Sequence, residues 1–74
     1  MQCTLIVEDL PDIRQWMADP VKAAFPRTAV VGVGRCEEGI RQALSRSFNL
    51  ALIDMGLPDG RGLQVVQALR SHQP

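Results

Sequence analysis

Cysteine is scarce in this chain. There are two, Cys3 and Cys36, and no CxxC pair. A disulfide-stapled scaffold needs more cysteines at closer spacing, so two reduced thiols in a cytoplasmic protein are expected. Long apolar runs are missing as well. Those present are far shorter than a membrane span or the core of a signal peptide, so neither segment nor any membrane partner is expected. Neither sign of charge is in excess, since eight basic residues face eight acidic ones. Lysine is nearly absent, and Lys22 is the one lysine among the basic residues. Without a basic surplus, charge gives no support to nucleic-acid binding. Internal repeats, low-complexity tracts and linkers are lacking too.

What is present is a short chain rich in apolar residues. Its 74 residues suit one small domain, and a hydrophobic content of 46% argues against disorder. A chain of this size buries only about 60% of the surface its unfolded form exposes, so its stability is marginal unless a partner helps.

Apolar runs and helical periodicities alternate along the sequence. "CTLIV" (Cys3 to Val7) reads as a buried strand that ends in Glu8 and Asp9. Ile13, Trp16, Met17, Val21 and Ala24 recur at helical spacing, predicting a helix over Asp12 to Phe25, with Asp12 as its cap and Trp16 and Met17 as packing residues. Pro20 is expected to kink that helix or to end it near Asp19. "TAVVGVG" (Thr28 to Gly34) reads as a second strand. A second helix follows in "CEEGIRQALSRS", with Ile40, Ala43 and Leu44 on one face and Gly39 weakening it by about 1 kcal/mol. "LALID" (Leu50 to Asp54) reads as a third strand, apolar on both faces as if covered on both sides. "GLPDGRG" is a loop, and "GLQVVQALRSH" a third helix with Leu63, Val66, Ala68 and Leu69 near one face. The order β-α-β-α-β-α implies an α/β fold with parallel strands and right-handed crossovers.

In such a sheet, ligands bind beyond the carboxyl ends of the strands. Glu8 and Asp9 end the first strand and Asp54 ends the third. If those strands are neighbours, three carboxylates converge and raise one another's pKa values. A hard divalent cation such as Mg²⁺ resolves the conflict, because it takes oxygen ligands and keeps several waters. A carboxylate so placed can attack phosphorus to form an acyl phosphate.

These residues carry a family resemblance. "LIVEDLPDIRQWM" resembles the opening of response-regulator receiver domains, where a hydrophobic strand ends in an acidic pair and a helix follows. "LALIDMGLPDGRG" resembles the family's phosphoacceptor strand and loop, in which proline follows the aspartate by four residues and glycine by eight; Asp54, Pro58 and Gly62 keep that spacing. The resemblance implies a flavodoxin-like receiver fold. It makes Asp54 the acceptor of a phosphoryl group from a sensor histidine kinase or phosphotransfer protein. Glu8, Asp9, Asp54 and the backbone carbonyl of Gly56 would hold Mg²⁺, and Pro58 and Gly62 would shape the loop. The chain would be a recipient of phosphoryl groups rather than an enzyme.

The resemblance spans the family's first strand to its third helix, a receiver truncated to (βα)3 over residues 1–74. The family's fourth and fifth strands, with their switch Ser or Thr and their Lys, have no counterpart here. Lys22 falls in the first helix and does not map onto that Lys. An uncovered third-strand edge leads to the expectation of a homodimer paired through it. Two other functions are weighed. One is a decayed receiver acting as an unphosphorylated interaction or dimerisation module. The other is an aspartate-nucleophile phosphatase, which wants a second aspartate at position 56, where Gly56 stands. Asp59 reads as a turn residue and Cys36 as a capping-region thiol, while His72 is given no phosphotransfer role. "GVGRCEEG" (Gly32 to Gly39) lacks the GxGxxG spacing of a dinucleotide loop.

Overall fold

Backbone polar groups dictate the layout of the sheet, because a buried strand must find neighbours for its N–H and C=O groups. The computed structural model describes residues 2–72. In chain order the elements are β1 (Cys3–Val7), α1 (Pro11–Ala24), β2 (Ala29–Val33), α2 (Cys36–Ser45), β3 (Leu50–Ile53), β4 (Gly56–Leu57), β5 (Gly60–Arg61) and α3 (Gly62–His72). The main sheet is parallel, in the order β2-β1-β3. The chain steps from β1 outward to β2, then back across β1 to β3. Right-handed crossovers in opposite directions put α1 on one face and α2 on the other. Thus α1 packs on β1 and β2, while α2 and α3 pack on each other beneath β1 and β3. This α/β arrangement is that of a flavodoxin-like receiver fold from its first strand to its third helix.

Strand alternation assigns side chains to the two faces. Cys3, Leu5 and Val7 of β1, Val31 and Val33 of β2, and Ala51 and Ile53 of β3 join Cys36, Phe48, Leu57 and Val65 in one core. Leu5, Val7 and Val65 are fully buried there. On the other face Ile6, Val30 and Gly32 lie under α1. Asn49 ties the starts of β3 and β1 together, its Oδ1 accepting from the amides of Gln2 (2.9 Å) and Cys3 (3.0 Å). Gly39 is a packing requirement rather than a weak point of α2. A Cβ there would lie 3.1 Å from a methyl of Val7 and 3.1 Å from one of Val65.

Several sequence expectations are corrected. Helix α1 runs through Pro20 to Ala24, because Ala18 and Val21 bury on the sheet from both sides of the proline. Its N-cap is Leu10 with no side-chain cap bond, since Pro11 takes the first helical position and Asp12 falls inside the first turn. Trp16 is 67% exposed, not a core residue. Helix α1 rests on the sheet along a narrow strip that includes Ala18 and Val21, and Trp16 lies off that strip. In α2, Ala43 is buried but Leu44 is exposed, and in α3 the buried positions are Gly62 and Val65 while Leu63 is exposed. The breaker-rich loop contains a short antiparallel ribbon, β4 with β5. Strand β3 is half-buried along its length rather than covered on both faces. Among the described residues its one strand neighbour is β1, which leaves an apolar edge. The reading of residues 1–74 as one unit also takes in Met1, Gln73 and Pro74, which lie outside the described residues.

Candidate functional site

β1 is the strand from which the chain turns first to one side and then to the other, so the crevice at its carboxyl end is a topological switch point. Backbone bonds hold the acids in that crevice. The Glu8 amide donates to Val33 O (3.0 Å), and the Asp54 amide donates to Val7 O (2.9 Å). Glu8, Asp9 and Asp54 each present a carboxylate oxygen, and the three oxygens lie within 4.8 Å of one another. Glu8 is buried, Asp54 half-buried and Asp9 exposed.

Crowding acids at a partly buried place has an electrostatic cost. Burial pushes the Glu8 carboxyl above the usual carboxylate range, and its hydrogen bond and charge contact with Asp54 push it the same way. The Asp9 amide, donating to Glu8 Oε2 at 3.0 Å, pulls partly back. Among the described residues no Lys or Arg makes an ion pair with these three carboxylates; the ion pair seen is Arg41 with Glu37, on the solvent face of α2. An all-oxygen donor set with uncompensated negative charge fits a hard divalent cation such as Mg²⁺.

The loop after β3 is shaped around Asp54. Its Oδ1 accepts from the Gly56 amide (3.1 Å), a bond that turns the chain away from the strand. Gly56 has open space where a side chain would stand. Pro58 and Asp59 form the turn between β4 and β5. Gly62 opens α3, and its amide donates to Met55 O at 3.0 Å. A Cβ on Gly62 would overlap the carbonyl oxygen of Asp54 and come within 2.9 Å of the Ile53 Cγ2. The glycine is therefore what lets α3 begin against the back of Asp54.

Residues outside the acid cluster also act here. Asp59 bridges the loop to α2, its Oδ1 accepting from the Cys36 amide (2.6 Å) and its Oδ2 from the Glu37 amide (3.0 Å). It is thus the cap of α2, supplied from a distant turn, and these bonds hold its carboxyl below the usual range. Cys36, buried beneath it, has its thiol pushed up by burial and by the charge of Asp59. Arg14 reaches back from α1 to the carbonyl of Glu8 (2.6 Å). No sequence motif marks either partner, Asp59 for α2 or Arg14 for Glu8. Lys22 lies along the groove between α1 and β2, outside the acid cluster.

No family model matches the chain, but known proteins do. It is 35% identical over 71 residues to the transcriptional regulatory protein CitB of Klebsiella pneumoniae, a match covering 93% of this chain and 30% of that protein. It is 35% identical over 77 residues to the KDP operon transcriptional regulatory protein KdpE of Escherichia coli, covering 95% of this chain and 30% of KdpE. It is 38% identical over 74 residues to the response regulator protein PilR of Pseudomonas aeruginosa, covering 99% of this chain and 16% of PilR. The chain therefore spans less than a third of the length of these relatives. No helix among the described residues is long and apolar enough to cross a membrane. With the parallel sheet in the order β2-β1-β3 and the acids at its switch point, the chain is similar over nearly its whole length to these response regulators and has the fold of a receiver domain from its first strand to its third helix.

Proposed function

We propose that the chain is the phosphoacceptor part of a two-component phosphorelay. The observation that carries this reading is the convergence of Glu8, Asp9 and Asp54 within 4.8 Å at the switch point of the sheet. Asp54 offers the nucleophile. Its Oδ1 accepts from the Gly56 amide, a bond that orients the carboxylate at the end of β3. A carboxylate oxygen bonds to phosphorus as the P–N bond of a phosphohistidine breaks, and the imidazole keeps the electron pair. The phosphoryl donor is a sensor histidine kinase or a phosphotransfer protein, and the chain is the recipient. Glu8, Asp9, Asp54 and the Gly56 carbonyl are the groups that would hold Mg²⁺, which supplies charge neutralisation for the incoming phosphoryl oxygens. We propose as well that the apolar edge of β3 pairs with a second copy, which light scattering at micromolar concentration tests; a monodisperse monomer sinks it.

The experiment for the phosphoacceptor role is labelling by a small phosphodonor such as acetyl phosphate. Label is expected with Mg²⁺, and not with EDTA or in Asp54→Asn. Label that persists in Asp54→Asn places the acceptor elsewhere and overturns the assignment.

A further inference from the structure

Arg14 stands where a basic residue is electrostatically disfavoured, in the first turns of α1, near the positive end of the helix dipole. It is half-buried, and its Nη1 donates to the backbone carbonyl of Glu8 at 2.6 Å. The path of its side chain is cleared by two glycines. A Cβ on Gly32 would lie 3.2 Å from Arg14 Cδ, and one on Gly34 would lie 3.2 Å from Arg14 Nη1. Neither glycine has a positive φ, so backbone freedom does not call for them, and a Cβ at either would press on the Arg14 side chain.

The bond from Arg14 completes a set around one peptide group. Between Glu8 and Asp9 the carbonyl is held by Arg14, and the amide is held by the Glu8 carboxylate at 3.0 Å. The Glu8 amide is itself held by Val33 O. With both ends of that peptide fixed, the directions in which the two side chains leave the backbone are fixed as well. We propose that Arg14, seated over Gly32 and Gly34, is a positioning residue that sets the acidic pair for cation binding. This rests on the reading of Glu8, Asp9 and Asp54 as a Mg²⁺ site.

The sign of the effect separates positioning from charge. A guanidinium near the acids repels an incoming cation, so by charge alone its removal tightens Mg²⁺ binding. Loss of positioning weakens it, and groups that orient metal ligands typically matter by about tenfold or more. The test is the Mg²⁺ dissociation constant of the full chain, by titration calorimetry well below the melting temperature, with the melting temperature in EDTA measured alongside. Arg14→Met is expected to bind Mg²⁺ about tenfold more weakly. Arg14→Lys, which keeps the charge without the planar fork, is expected between Arg14→Met and wild type. Gly34→Ala crowds the guanidinium with no change of charge and is expected to weaken binding too. It keeps the test open if Arg14→Met does not fold. Affinity that is unchanged or tighter in Arg14→Met, or unchanged in Gly34→Ala, overturns the proposal, even if the melting temperature falls. A wild-type chain that binds no Mg²⁺ overturns the metal site and the role of Arg14 together. A wild-type chain that binds, with variants that bind equally well, overturns the role of Arg14 alone.

Discussion

Replacing Asp54 by asparagine should stabilise the metal-free protein and destroy its response to Mg²⁺. Asparagine keeps the acceptor that receives the Gly56 amide and removes only the charge. Carboxylate oxygens within 4.8 Å repel, by about 1–3 kcal/mol at effective dielectrics between water and a protein surface. Asp54 is half-exposed, so the lower end applies, about 1 kcal/mol, or a rise in melting temperature of about 4–8 °C in EDTA. The pH dependence follows from Glu8, whose carboxyl is raised from its ordinary 4.5 by burial first and then by Asp54. A carboxyl raised in the folded state contributes stability below its unfolded pKa, and that contribution is lost as pH rises through the folded value. The wild-type protein in EDTA should therefore lose stability above about pH 4.5, and Asp54→Asn should lose less of it. Saturating Mg²⁺ reverses the order. At one hundred times the dissociation constant it stabilises the wild type by about 2.7 kcal/mol, and it should leave the variant unmoved. Thermal denaturation followed by circular dichroism, in EDTA and in Mg²⁺ over a pH series, reads both effects. A variant less stable than wild type in EDTA, or one equally protected by Mg²⁺, refutes the picture of mutually repelling acids awaiting a cation.

Gly62→Ala should displace the Asp54 backbone, because the new methyl overlaps the Asp54 carbonyl; labelling by acetyl phosphate should fall at least tenfold, a loss typical of reacting groups misplaced by an ångström. Gly39→Ala improves helix propensity by about 1 kcal/mol. It also presses a methyl against Val7 and Val65 at 3.1 Å, an overpacking cost of about 1–3 kcal/mol. A net loss of stability in urea unfolding is expected. Asp59→Asn should speed hydrogen exchange at the Cys36 and Glu37 amides by weakening the cap. Since the Asp59 carboxyl is held below its ordinary 3.8, the wild type should show the same loosening as pH falls through that lowered value, and the variant should not.

The acids of the candidate site are legible in the sequence because they end strands. A strand that ends in two acids and another that ends in an aspartate are local patterns, and the spacing of Pro58 and Gly62 after Asp54 carries the resemblance to receiver domains. Helix faces are less legible. Periodicity locates an apolar stripe but not the width of the surface that receives it. Trp16 and Leu63 sit at helical spacing with buried neighbours, yet α1 and α3 each rest on a narrow contact and leave them exposed. The local cost of Pro20 is visible in the sequence, and the burial of Ala18 and Val21 that carries α1 through it is not.

By itself the sequence determined the alternation of strands and helices, the carboxylates that end β1 and β3, and the breaker-rich segment between Asp54 and α3. Each of these depends on residues within a few positions of one another. Only the tertiary structure decided what those pieces meet. It placed β1 between β2 and β3, so that Glu8, Asp9 and Asp54 share one crevice. It sent the Asp59 carboxylate to the start of α2 and the Arg14 guanidinium over two glycines to Glu8. Asp59 is 23 residues from Cys36, and the glycines that make room for Arg14 lie on β2 and just after it. These juxtapositions depend on the direction of the crossovers and the register of a parallel sheet, which no local pattern of residues encodes.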